Sequence, residues 1–143
     1  MLKYLKFLTN HIFLSLFVLG MLLGGHWLWL GFLAFIIGSI LGDLILGEHG
    51  EAPEFKFPIM LNLIMYSYLP AMVITITVFL WMVAPGDLLS IGAYVGEITG
   101  YDAILSREGN GIFDLLGACL GMGIFFGAIN TLIGHELIHR TWN

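Results

Sequence analysis

The sequence predicts an all-α fold, an integral membrane helical bundle with four transmembrane helices, and three observations predict it. Hydrophobic residues make up 59% of the 143-residue chain and charged residues only 10%, whereas soluble domains carry about 45–50% and about 25%. The apolar residues gather in blocks that approach or exceed the roughly 20 residues a helix needs to cross the hydrocarbon. The charged residues fall almost entirely in the connections between those blocks. The formal net charge of −5 therefore describes the connections and no binding face. No basic stripe of the kind that holds nucleic acid is present.

The first span is expected at about residues 7–23. Lys3 and Lys6 precede it, but the apolar stretch runs on without a small-residue cleavage site, so it reads as a retained span. Gly24 and Gly25 then allow a tight turn, because glycine tolerates backbone angles closed to other residues. The second span, about 27–46, opens on Trp27 and Trp29, aromatic residues suited to the membrane–water interface. The polar stretch GEHGEAPEFKFP, residues 47–58, connects it to the third span at about 59–84, where Pro70 predicts a kink. Residues 85–111 are too polar to span and too apolar to be fully solvated, so an interfacial or re-entrant segment is expected there. The fourth span, about 112–134, runs into the motif that closes the chain.

Lys3 and Lys6 favour a cytoplasmic N-terminus by the positive-inside rule. Four crossings then place residues 47–58 and 135–140 together on the cytoplasmic face. Glycine pairs four residues apart (Gly20/Gly24, Gly38/Gly42, Gly117/Gly121, Gly123/Gly127) predict close helix approach. Cys119 sits in an apolar block and reads as a small packing residue. His11 and His26 read as hydrogen-bonded packing residues, and Tyr66 and Tyr68 as packing or channel-lining ones.

The closing stretch NTLIGHELIHRTWN, residues 130–143, is where chemistry concentrates. On a helix His135 and His139 lie one turn apart on one face, so both imidazoles can reach a single metal ion. Asn130 and Thr131, one turn earlier, are placed to hydrogen-bond a ligating ring and fix its tautomer. Glu136 points about 100° away from His135 and can serve as a ligand, a supporting acceptor or a general base. Polar groups at this depth in an apolar segment are costly and usually functional. By spacing alone the pair fits a zinc site with Glu136 activating water, as in an intramembrane metalloprotease, as well as an iron site.

The wording of NTLIGHELIHR resembles the first histidine box of the membrane alkane hydroxylase and xylene monooxygenase branch of the fatty acid desaturase/hydroxylase superfamily. A second stretch, GDLILGEHGE at residues 42–51, resembles the same branch, with Asp43 near the end of the second span and Glu48 and His49 in the connection that follows. The likeness covers about 25 residues in wording and most of the chain in layout.

That resemblance implies that His135 and His139 are ligands of a non-haem di-iron centre, with Asp43, Asn130 and Thr131 in supporting positions and Glu48 and His49 near by. Two histidines do not hold two irons, and the family's later histidine boxes do not occur in this sequence. The chain is therefore expected to be the N-terminal part of such an enzyme, with the catalytic domain incomplete and no activity on its own. The implied reaction is a monooxygenase step, insertion of one oxygen atom from O2 into an unactivated C–H bond of an alkane, alkyl chain or aryl methyl group. Electrons would come from a rubredoxin or ferredoxin-type donor at the cytoplasmic face of a bacterial inner membrane. A membrane fatty acid desaturase is the near neighbour of this reading. The zinc protease and a non-enzymatic membrane protein are its rivals from other classes. Substrate identity and chain length, oligomeric state and any continuation past Asn143 are not legible in the sequence.

Overall fold

The computed structural model describes residues 2–46, 58–131 and 134–135, and all regular structure among them is helical. Helix α1 (Leu2–Leu23) ends at Gly24, whose φ of +69° and that of Gly25, +55°, make the turn that the glycine pair predicts. A short 3-10 turn, Gly25–Trp29, leads into α2 (Leu30–Leu46). Helix α3 (Pro58–Val83) opens on a proline, favoured in a helix's first turn because it lacks an N–H that would be unsatisfied there, and carries Pro70 internally. After a turn at residues 84–87 come a 3-10 turn (Leu88–Ser90), α4 (Ile91–Thr99) and α5 (Ala103–Glu108). Helix α6 (Ile112–Ile124) passes into a π-turn over Phe125–Asn130.

Among the described residues two stretches are long and apolar enough to cross a bilayer, Gly25–Gly42 and Ile59–Val83, with mean hydropathies of 1.6 and 2.0. The 25 residues of the second rise about 37 Å at 1.5 Å each, against a hydrocarbon core of about 30 Å. Only 11% and 22% of these stretches are buried inside the protein, which sets them apart from the core helices of a soluble domain. Their outward side chains include Ile37, Ile40, Ile59 and Leu63, all exposed. A surface of that kind suits lipid. The apolar parts of the first and last helices, Leu8–Leu23 and Ile112–Gly127, are shorter.

Helices α1 and α3 run side by side in the same direction, since His11 meets Ser67 and, two turns further along each helix, Val18 and Thr75 border one space. Helices α2 and α6 are likewise parallel, because Trp29 packs on Phe113 and, further along, Phe35 on Phe125. The turns around residues 24–29, 84–90 and 100–114 therefore gather at one end of the bundle. The C-terminal ends of α2 and of the π-turn point to the other.

Phe17 is the centre of the packing. It is fully buried, stacks on Phe125 with ring centroids 5.3 Å apart, and occupies the space over Gly31 and Gly121. Where the glycine spacing predicts close approach of backbones, the structure mostly shows aromatic rings seated on glycines: Phe13 on Gly38, Trp29 on Gly117, Phe17 on Gly121. Two of the predicted set meet a backbone of another element, Gly20 the Trp27 carbonyl and Gly24 the Ser106 carbonyl of α5. Gly42, Gly123 and Gly127 have open space where a Cβ would stand. Cys119 is exposed and not a packing residue, because α6 turns Ala118 and Gly121 inward and leaves Cys119 outside.

Candidate functional site

The expected interfacial segment is a polar seal over one end of the bundle. The Leu23 carbonyl, left open at the end of α1, accepts from the Tyr101 hydroxyl at 2.5 Å and also from the Ser106 hydroxyl. Gly25 N–H donates to Asn110 Oδ1 at 2.6 Å. His26 is not a packing residue. Its side chain is 93% exposed and its Nδ1 donates to Asp114 Oδ1 at 2.8 Å. The other Asp114 oxygen accepts from the Gly111 amide at 3.0 Å, closing the first turn of α6.

Asp87 holds the second half of the seal. Leu89 and Ser90 both have φ of +56°, a left-handed conformation unfavourable for residues with a side chain. The surroundings must over-determine such a turn. Asp87 Oδ1 accepts from the Trp81 indole at 2.6 Å and the Gly92 amide at 2.8 Å, and Oδ2 accepts from the Ala93 amide at 3.0 Å. Desolvation works to raise this carboxyl, but the Gly92 and Ala93 amides, the Trp81 indole and the charge of Arg107 outweigh it and hold it below the usual carboxylate range. Arg107 lies 5.0 Å from the Trp81 ring centroid and donates to the Trp81 carbonyl at 2.6 Å, which ties α5 to the end of α3.

The stretch that leads into the histidine motif lies at the opposite end. Phe125–Asn130 form a π-turn directly before it, and the Thr131 hydroxyl donates to the Phe126 carbonyl five residues back at 3.3 Å. π-turns of this kind occur frequently at functional sites. Thr131 is exposed, and with its proton given to the Phe126 carbonyl its oxygen can act toward other groups only as an acceptor. His135 is helical and exposed. Asn130 closes the π-turn and Asp43 sits in the last turn of α2, but their side chains lie outside the described part of the structure. Glu136, His139, Glu48 and His49 lie outside the described residues.

An imidazole such as His135 is a suitable donor for iron or zinc, but one imidazole is not a site. Among the described residues no group of three or more metal-ligating side chains comes together. The described residues therefore fit a metal only as one contributor to a larger ligand set. Comparison of the chain with protein-family models, curated proteins and solved structures finds no match.

A second polar group stands in the middle of the bundle, where His11 is the hydrogen-bonded packing residue and Tyr68 the packing residue that the sequence predicts. His11 Nε2 lies 3.0 Å from Ser67 Oγ, and the His11 ring meets Tyr68 edge-on with centroids 5.7 Å apart. Ser67 donates its proton to the Ile64 carbonyl at 2.8 Å, so Ser67 accepts from His11 and the ring is protonated on Nε2. The signal was present in the sequence. His11 and Ser15 stand four apart on one helix, Ser67 and Thr75 eight apart on another, all within apolar blocks.

Proposed function

We propose that this chain forms part of an integral membrane non-haem di-iron monooxygenase, a four-span bundle with its first histidine pair, His135 and His139, at the cytoplasmic face. The carrying observation is the π-turn at Phe125–Asn130, which ends immediately before the residues that resemble the family's first histidine box. The seal at the other end adds support, because it leaves the end of the π-turn and the C-terminal end of α2 at the opposite end.

In this reading the iron centre would supply O2 activation, and the protein supplies the surroundings. His135 and His139 would donate imidazole nitrogens, with Thr131 accepting a ring N–H and so fixing which nitrogen faces the metal. The apolar helices would keep water from the C–H bond to be hydroxylated and present an alkane, alkyl chain or aryl methyl group from the lipid. Further ligands from outside the described residues complete the set, and a rubredoxin or ferredoxin-type donor delivers electrons at the same face.

The test is metal content and turnover of the membrane-embedded protein as its gene encodes it. Iron with little zinc, and loss of both iron and O2-dependent hydroxylation in His135→Ala and His139→Ala, is the expected result. Zinc in place of iron, or hydroxylation that survives both substitutions, overturns the reading.

A further inference from the structure

Helix α4 belongs to the seal, and one carboxylate fixes its depth. Asp87 Oδ1 accepts from the indole of Trp81, two residues before the end of α3, and from the amide of Gly92 in the first turn of α4. At 2.6 and 2.8 Å these bonds put the start of α4 beside the last turn of the long apolar helix. Arg107 holds α5 to the carbonyl of the same tryptophan. The two short helices therefore sit where the apolar span ends, at the level of the headgroup layer.

Successive residues turn about 100° around a helix, and each side of α4 meets different surroundings. Ile91 and Val95 pack against the buried centre of the bundle. On one flank Gly92 is covered by the Ile104 side chain of α5, and a Cβ on Gly96 would stand 3.6 Å from the Tyr101 carbonyl. On the opposite flank Tyr94 and Ile98 stand one turn apart, each 63% exposed. Ala93 and Glu97, also exposed, take the side away from the bundle.

The flank of Tyr94 and Ile98 is thus lateral, with the bundle beneath it, α5 across from it and the Glu97 carboxylate above. It carries no charge. Along the chain, the exposed apolar side chains of the span run on through Leu80, Val83 and Leu89 to this flank. What lies beside an apolar span at the depth of its last turn is the layer where headgroups meet acyl chains. A tyrosine fits that layer, with its ring against the acyl chains and its hydroxyl in water. Trp27, exposed at the same end of the bundle, fits it for the same reason.

We infer that α4 is an interfacial helix whose Tyr94 and Ile98 dip into the bilayer below the headgroups, so that lipid anchors the seal along one flank as the bundle does from beneath. The inference rests on insertion of the chain in a membrane and is independent of the di-iron reading.

The experiment is a set of nitroxide spin labels in phosphatidylcholine nanodiscs. Ala93→Cys, Tyr94→Cys, Glu97→Cys and Ile98→Cys, each in a Cys119→Ser background, carry the label on α4, and Val73→Cys carries it near the middle of α3. All six positions are exposed, so the substitutions leave the packed centre untouched. Relaxation by O2, which concentrates in lipid, is compared with relaxation by a water-soluble nickel chelate. The ratio of oxygen to nickel effect is expected to be severalfold higher at 94 and 98 than at 93 and 97, and highest at 73. One ratio at all four α4 positions overturns the proposal. So does shielding of 94 and 98 from both reagents, which would mean that a second copy or another protein covers the flank. A ratio at 94 and 98 equal to that at 73 also overturns it, since the segment would then be re-entrant. A Val73→Cys label in water removes the membrane reading itself and this inference with it. Tyr94→Cys keeps Ile98 and Ile98→Cys keeps Tyr94, so each position is read with the other anchor in place.

Discussion

Gly31→Ala should destabilise the bundle by about 2 kcal/mol, and Gly123→Ala should stabilise it, although both change a glycine in or beside a helix into the same residue. A Cβ on Gly31 would stand 2.5 Å from Phe17 Cβ, 2.6 Å from Cδ2 and 2.7 Å from Cα. Two of those atoms are fixed to the α1 backbone, so relief requires α1 and α2 to move apart. Overpacking of this kind costs about 1–3 kcal/mol, and the upper end applies. Alanine returns at most about 1 kcal/mol of helix propensity, leaving a net loss near 2.

A Cβ on Gly121 meets only ring atoms of Phe17, the nearest at 2.6 Å. The ring can shift a little against Phe125, and the two effects nearly cancel. At Gly123 nothing lies within 4 Å of the new atom, so the propensity gain stands alone. The expected order of stability is Gly123→Ala, then the unsubstituted chain and Gly121→Ala together, then Gly31→Ala. Unfolding by added sodium dodecyl sulfate, followed by circular dichroism in mild detergent, measures it. The Phe17→Leu background sharpens the test. It removes the ring atoms that oppose Gly121→Ala but keeps the Cα and Cβ that oppose Gly31→Ala. Equal stability of Gly31→Ala and Gly123→Ala, or equal rescue of Gly31→Ala and Gly121→Ala by Phe17→Leu, would refute the packing argument.

The seal gives two more predictions. Asp87→Asn should lower stability by about 1 kcal/mol, since a charged acceptor of three donors becomes a neutral one on a largely solvated turn. The depressed carboxyl stabilises the fold fully above the ordinary carboxylate range. That contribution is lost as pH falls through the lower folded value, so the gap between the two proteins should close on acidification in melting curves. Arg107→Lys should keep the charge near Trp81 but lose the planar contact with its ring. It should loosen α5, read as faster hydrogen exchange at the amides of residues 103–108, while exchange in α3 stays slow. If the proposed iron site exists, His135→Ala and His139→Ala should each remove the iron, read as metal content of the purified protein; iron retained in both would count against that reading.

The apolar blocks made the helices legible. Residues 59–84 and the observed α3, Pro58–Val83, differ by a residue at each end, because an unbroken apolar run leaves few alternatives to a helix in lipid. The Gly24–Gly25 turn was legible for a local reason as well, since few other residues adopt those angles. The seal was legible only as a polarity that fitted neither lipid nor water. Its contacts join Gly25 to Asn110 and His26 to Asp114, 85 and 88 residues apart in sequence, and no local pattern encodes such partners.

The same division runs through the candidate sites. The histidine motif is a matter of residue type and spacing along one helix, and the sequence displays both. The π-turn that precedes it begins at Phe125, which stacks on Phe17 of α1, a contact no spacing rule reports. In the middle of the bundle, sequence alone determined that His11, Ser15, Ser67 and Thr75 are polar groups in apolar helices. The Ser15 and Thr75 protons go to carbonyls four residues back in their own helices, a local matter. Only the tertiary structure decided that α1 and α3 bring His11 to Ser67 and Tyr68, and the physical reason is that contacts between helices depend on how their faces pack, which spacing along one helix does not fix.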